Sequence, residues 1–171
     1  PMNQMEKLYD CIYEAGKNEK IQNFGTYAVN SLRMEKAYRG WGAELTGEIS
    51  LVEAGMDRFF NLNKKSNFIG SKALKEKLQS RVDIKIAYLE IDVDDADARG
   101  NEPVYHNNKI VGVITSGGYG FRVNKSLAFA YVQSELTKDG TEFSVKIQGQ
   151  KRKAKILNAP AYDPQNKKLK S

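Results

Sequence analysis

The hydrophobic period of this chain changes once, near residue 80, and that change bounds what it can fold into. From Asp83 onward the apolar residues recur at every second position: Ile84, Ile86 and Tyr88 alternate with Lys85, Ala87 and Leu89, and Phe143, Val145 and Ile147 alternate with Ser144, Lys146 and Gln148. A period of two is the signature of strands. Further strands are predicted around Val104, from Ile110 to Thr115, from Ser126 to Val132, and on through Ala154 and Ile156. His106-Asn107-Asn108-Lys109 has the composition of a tight hairpin turn, and Ser116-Gly117-Gly118-Tyr119-Gly120 reads as a glycine turn between strands. Five or six short strands with no helix between them must close or stack, because otherwise an apolar face and two strand edges stay in water.

Before residue 80 the period is helical. Met5, Leu8, Tyr9 and Ile12 fall at i, i+3, i+4 and i+7 and predict a helix over about 3–15, ended at Gly16. A second helix is predicted from Thr26 to Arg39, extensively buried, with Phe24, Tyr27, Met34 and Tyr38 on one stripe. Leu45 to Phe60 reads as loop and short strand. A third helix follows from Ser71, a plausible N-cap, to Leu78. The fold class is therefore α+β, with a helical part over 1–80, a β part over 83–160 and a basic tail over 161–171. The helical part has too few elements to enclose its own aromatic faces and reads as the end of a larger domain.

Charge and cysteine usage exclude several functions. The net charge of +6 is local: residues 146–171 contain eight basic residues and one acid, Asp163. This leaves two readings of that segment, a solvated strand face with a basic tail or a surface for an anionic ligand or single-stranded RNA. One cysteine, Cys11, forms no internal disulfide, and one histidine, His106, leaves little for a transition-metal site or a nucleophilic triad. No apolar run approaches the roughly 18 residues of a membrane span, and Pro1-Met2-Asn3-Gln4 lacks the layout of a signal peptide. The cytosol is the expected compartment. Phosphate-loop, zinc-protease and redox dithiol motifs are absent, and no residue is singled out as catalytic or as a metal ligand.

The segment Ser31–Thr46 carries the most functional information. Arg33 has the small apolar residues Val29 and Ala37 at i−4 and i+4, so its guanidinium is poised for a bidentate carboxylate, either internal or from a ligand. Glu35 and Arg39 have the spacing of a surface i, i+4 pair. Trp41, beside Gly40 and Gly42, is either core or a stacking face.

These residues also resemble a known family. Asn30-Ser31-Leu32-Arg33-Met34-Glu35-Lys36-Ala37-Tyr38-Arg39 with Trp41-Gly42 is similar to a segment of the tetrahydrofolate-dependent aminomethyltransferases, the glycine-cleavage T-protein family, including the folate-binding tails of dimethylglycine and sarcosine dehydrogenases. Val52-Glu53-Ala54-Gly55-Met56, Phe68-Ile69-Gly70-Ser71-Lys72-Ala73-Leu74, Gly112 to Gly120 with Lys125-Ser126-Leu127-Ala128, and Ala159-Pro160-Ala161-Tyr162-Asp163-Pro164 follow in family order. The resemblance implies that residues up to about 80 are the last portion of a folate-binding domain and that 83–160 form a C-terminal β-barrel. It implies one-carbon transfer from an amine-bound intermediate to tetrahydrofolate in a longer parent, of which this would be an inactive fragment lacking the N-terminal part. It further implies that Arg33 binds the folate, that Trp41 lines its channel, and that Tyr119 and Tyr162 are weaker folate-binding candidates. FAD would belong to an upstream domain, a lipoyl carrier protein would be a partner in a T-protein, and the mitochondrial matrix would be the compartment in a eukaryote. Ala37 replaces the usual Gly, Leu51 the usual Pro, and Lys168 and Lys170 stand where relatives carry arginines. The rivals are an RNA-binding β-barrel and the folate-binding iron-sulfur-assembly protein, whose Lys-Gly-Cys-Tyr-x-Gly-Gln-Glu segment this chain lacks.

Overall fold

The computed structural model describes residues 1–170. Three helices, α1 (Met5–Gly16), α2 (Thr26–Glu35) and α3 (Ser71–Gln79), precede six strands: β1 (Ile84–Ile91), β2 (Pro103–His106), β3 (Lys109–Gly120), β4 (Lys125–Gln133), β5 (Glu142–Ile147) and β6 (Gln150–Ile156). All strand pairs are antiparallel, and the order β1-β4-β3-β2-β5-β6 closes into a barrel through β6 and β1. Closure leaves no strand edge exposed for pairing. Of the two architectures open to the strand pattern, the barrel is the one formed.

Two apolar clusters lie on opposite faces of the same strands. Inside the barrel pack Ala87, Leu89 and Ile91 of β1, Ala128, Ala130 and Val132 of β4, and Phe143, Val145 and Ile147 of β5. On the outer face Ile86 and Tyr88 of β1 and Leu127, Phe129 and Tyr131 of β4 pack with Met34 and Ala37 at the end of α2. Strands buried on both faces are possible only where another element covers the barrel wall. The end of α2 is that cover here.

The hairpins form as the sequence predicts. Asn107 and Asn108, at φ 49° and 64°, both occupy the left-handed region that a two-residue hairpin turn requires. The run Ser116–Gly120, expected as a turn, is instead the last stretch of β3, and the chain reverses over 121–124. Its glycines serve close approach rather than turning: a Cβ on Gly117 would run into the carbonyl oxygen of Ala98. The bare backbone also lets α2 lie on the strand, where Asn30 Nδ2 donates to the Gly117 carbonyl (3.2 Å) and Ser31 Oγ to the Tyr119 carbonyl (2.7 Å). No strand forms between Leu45 and Phe60, only turns, a short 3-10 helix (Asp57–Phe59) and one isolated bridge between Trp41 and Leu45. Ser71 is the first residue of α3, and Gly70, in the left-handed region, is its cap.

Helix α2 departs from expectation in two respects. It ends at Glu35, four residues early, in a Schellman motif: Ala37 takes φ 54°, its N–H donates to the Met34 carbonyl (3.0 Å), and the Tyr38 N–H donates to the Arg33 carbonyl (2.9 Å). A left-handed residue at this position explains the family glycine that Ala37 replaces. The helix is also far less buried than its apolar stripe implies, for only Met34 and Glu35 are buried, and Tyr27 is 94% exposed. No other element of the described chain covers that stripe.

Alanine in the left-handed region costs about 1 kcal/mol, and its buried methyl returns a similar amount. Ala37→Gly is therefore expected to leave the midpoint of thermal unfolding nearly unchanged, whereas Ala37→Val, β-branched at positive φ, should lower it by several degrees. Equal midpoints for the two variants in a calorimetric scan would contradict this account of the helix end.

Two tyrosines anchor the helical part to the barrel wall. Tyr88 donates to the Met34 carbonyl and Tyr131 to the Glu44 carbonyl, both at 2.8 Å. Burial pushes both phenols up from 10 to about 12, with the Glu44 charge adding at Tyr131. Between pH 10 and 12 the unfolded chain ionises while the folded one keeps these protons, so this stability is complete below pH 10 and lost as pH rises through about 12. In thermal melts across that range the wild-type midpoint should fall more steeply than that of the variant carrying both Tyr88→Phe and Tyr131→Phe.

Candidate functional site

The turn that follows α2 folds around one carboxylate. Residues 40–45 double back so that Glu44, with no exposed surface, faces Arg33 across the helix end. Arg33 Nη1 contacts Glu44 Oε2 at 3.0 Å, and the Gly40 N–H donates to the same oxygen at 2.7 Å. The other oxygen, Oε1, accepts from Thr115 Oγ1 at 2.6 Å and from Ser116 Oγ at 2.5 Å. Consecutive residues of a regular strand point to opposite faces. Thr115 and Ser116 both reach Glu44 because β3 bulges there, pairing Ile114 with Ala130 and Ser116 with Phe129 and leaving Thr115 as the extra residue.

Arg33 is thus held on one side by the protein itself. Its Nε donates to Asn30 Oδ1 (2.9 Å), Nη1 also reaches the Tyr38 carbonyl (3.3 Å), and the guanidinium carbon lies 5.9 Å from the centre of the Phe129 ring. Nη2 has no hydrogen-bond partner among the described residues. Of the two alternatives raised by its spacing the internal carboxylate is present, held through Nη1 alone rather than by the expected bidentate fork.

Trp41, eight residues on, is 83% exposed and so is not core. Its indole stands in solvent on the same turn that carries Glu44. Tyr119 lies at the far end of β3, where its carbonyl holds Ser31 and its ring meets Phe121 edge-on at 5.0 Å. Tyr162 docks at the end of α2, its N–H donating to the Glu35 carbonyl (3.0 Å) and its ring facing the Lys168 ammonium at 5.4 Å. The structure thus places Arg33 on the last turn of α2 and Trp41 in the turn that follows it, with Tyr119 bonded to α2 at Ser31 and Tyr162 at Glu35. A cleft of about 840 Å³ runs between α2 and the acidic loop, lined by Tyr27, Asn30, Ser31, Asp97 and Tyr119, but not by Arg33 or Trp41.

Glu35 and Arg39 do not form the expected surface pair. Glu35 is buried and its carboxylate accepts the Arg122 N–H at 2.6 Å. Arg39 lies over the Phe129 ring at 5.4 Å and donates to the Ala37 and Ala54 carbonyls, and burial, with Arg58 nearby, lowers its pKa. The early helix end breaks the i, i+4 geometry, so each finds a partner elsewhere. Lys36 fastens the tail by donating to the Asp163 carbonyl (2.8 Å) and Asn166 Oδ1 (2.6 Å).

Sequence reasoning missed Glu44, Thr115 and Ser116. A carboxylate eleven residues past Arg33 beyond a glycine turn is a local signal, but the two hydroxyls arrive from more than seventy residues away. The basic hairpin is partly neutralised, Arg152 by Asp95 and Lys155 by Glu90, and Lys125 also pairs with Glu90. Burial alone would raise the Glu90 carboxyl, but these two lysines hold it below its usual range. Among the described residues there is no cluster of three metal-ligating side chains and no helix long and apolar enough to cross a membrane.

Comparison with known proteins agrees with this architecture. Residues 85–163 match the model of the Glycine cleavage T-protein C-terminal barrel domain, and residues 1–64 match that of the GCVT N-terminal domain. Human mitochondrial dimethylglycine dehydrogenase is 44% identical over 153 residues, which is 90% of this chain and 18% of that protein. The aminomethyltransferase of Geobacillus sp. (strain WCH70) is 32% identical over 155 residues, 91% of this chain and 42% of that protein. The chain therefore spans less than half the length of these curated relatives. The glycine cleavage system aminomethyltransferase T from Bartonella henselae, at 23% identity, shares the fold with a TM-score of 0.83 over 96% of this chain and 45% of that one. Two family models in their natural order over most of the residues, on a helix-then-barrel fold, carry the assignment: the chain belongs to the glycine cleavage T-protein family.

Proposed function

We propose that this chain supplies one wall of a tetrahydrofolate site in an aminomethyltransferase. That enzyme would pass a one-carbon unit from an amine-bound intermediate of glycine, sarcosine or dimethylglycine metabolism to tetrahydrofolate. The observation that carries the reading is Arg33, fixed by Glu44 through Nη1 while Nη2 stays open, one turn from an exposed indole. A cation whose Nη2 has no partner among the described residues can donate to a folate carboxylate, and Trp41 offers a flat apolar face to the aromatic part of the same molecule. Tyr119 and Tyr162 are secondary contacts along α2.

The role of these residues is to bind and orient. Glu44, Thr115 and Ser116, the polar groups next to Arg33, are hydrogen-bonded together through the Glu44 carboxylate, and the transfer step is assigned to reacting groups elsewhere in the enzyme. The exposed stripe of α2 supports an opposite wall supplied by the remainder of such an enzyme. The chain alone is accordingly inactive and binds folate weakly. FAD would be held by a separate domain in a dehydrogenase, and a lipoyl carrier protein would be the partner in a T-protein. The mitochondrial matrix is the proposed compartment if the source is eukaryotic, a reading supported by the human relative's name, which calls that protein mitochondrial. The RNA-binding reading loses support from the pairing of Arg152 and Lys155 with acids.

Trp41 is the single tryptophan, so fluorescence reports on this turn directly. Titration with tetrahydrofolate should quench it with weak affinity. Arg33→Lys, which keeps the charge but loses the fork geometry, should weaken binding about tenfold, and Arg33→Ala more. Unchanged affinity in Arg33→Ala would remove the anchor, and affinity equal to that of a full-length relative would refute the assignment of an opposite wall to the rest of the enzyme.

A further inference from the structure

Glu44 is the most completely engaged charge in this region, and its engagement comes from three separate places in the fold. Arg33 stands on α2, Gly40 in the turn, and Thr115 and Ser116 on the barrel. Burying a carboxylate costs several kcal/mol before its partners return anything, and apolar packing would join a helix end to a barrel wall without that cost. A strut alone does not account for a charge here. What a charge adds is direction: it fixes which edge of the Arg33 guanidinium is occupied and which is left open.

We propose that Glu44 is a positioning residue for Arg33, and that the β3 bulge at Thr115 is the device that sets it. The two hydroxyls fix Oε1, the Gly40 N–H and Arg33 Nη1 share Oε2, and so the plane of the carboxylate is determined from the barrel side. The guanidinium then presents Nη2 outward in a fixed orientation, already paired on its inner edge, with less side-chain freedom to lose when a carboxylate ligand arrives. Thr115 and Ser116 act on the ligand only through this relay. The inference rests on the reading that Arg33 receives a folate carboxylate.

The test uses the full chain with 13C,15N-labelled arginine and N-(4-aminobenzoyl)-L-glutamate, the carboxylate-bearing half of folate, as probe. NMR titration of the Arg33 guanidinium signals measures weak affinities directly. The variants are Glu44→Gln, and Thr115→Val with Ser116→Ala, the second pair leaving the Arg33–Glu44 contact chemically intact; circular dichroism checks that each folds. In wild type the two Nη resonances of Arg33 should be resolved by restricted rotation and should shift on titration. In both variants they should coalesce and the affinity should fall about tenfold, the loss of one charge-assisted hydrogen bond. Adding Arg33→Lys to the Thr115→Val, Ser116→Ala background should cost far less than it does in wild type, because both act through one group. Additive losses, or wild-type affinity in the barrel-side variant while Arg33→Lys binds poorly, would overturn the positioning role and leave the folate reading intact. No response of wild-type Arg33 to the probe would overturn that reading and this inference together.

Discussion

A buried carboxylate must find donors on every side or be expelled, and in this chain that demand ties a helix end, a turn and a barrel strand to one point. Glu44 accepts from the helix end, from its own turn and from the third strand of the barrel. Meeting it fixes the early end of α2, the path of the turn through Trp41 and the bulge in β3. Because each unmet hydrogen bond to a buried charge costs more than an ordinary one gains, the arrangement is all-or-none. The unpartnered Nη2 of Arg33 and the exposed indole of Trp41 lie on the two sides of that closure, one on the helix and one in the turn.

The barrel supports this arrangement by being buried twice. The small residues Ala87, Ala128 and Ala130 fill its interior, and the large ones, Tyr88, Phe129 and Tyr131, point outward beneath α2 and the turn. Phe129 alone underlies both Arg33 and Arg39, so two cations rest on one ring of the barrel wall. In an ordinary small barrel those outer positions would be polar. Here the outside of the barrel serves as the floor of the functional region, and the inside only holds that floor in place.

Much of this was legible beforehand, for reasons that differ by element. Strand alternation and the Asn107-Asn108 turn are local, and a closed or stacked sheet follows from the number of strands and from the absence of helices between them. The family segments led to Arg33 and Trp41 directly. The burial of α2 is overestimated by its pattern because an apolar stripe carries no guarantee of a covering element, and the described residues leave Tyr27 and Leu32 exposed. The helix end was misplaced because alanine at residue 37 carries none of the signal that the family glycine would. Glu35 and Arg39 were paired by spacing that holds only while the helix continues. The Glu44 network was invisible because it depends on a one-residue bulge, and periodicity has no means of announcing where a strand gains an extra residue.

The barrel has a seam. Its first and last strands meet through only three residue pairs, Leu89 with Ile156, Glu90 with Lys155 and Ile91 with Ala154, extended by the Asp92 and Leu157 N–H groups on the Lys153 and Tyr88 carbonyls. More than sixty residues separate the two sides, so the loop-closure cost of the ring falls on this short junction. During synthesis the ring has no means of shutting until residue 156 has emerged, and the tail that Lys36 clasps follows immediately behind. Completion of the barrel and fastening of the helix end are therefore neighbouring events in time, and the outer wall that carries Phe129, already in register with β1 and β3, receives its last cover only then.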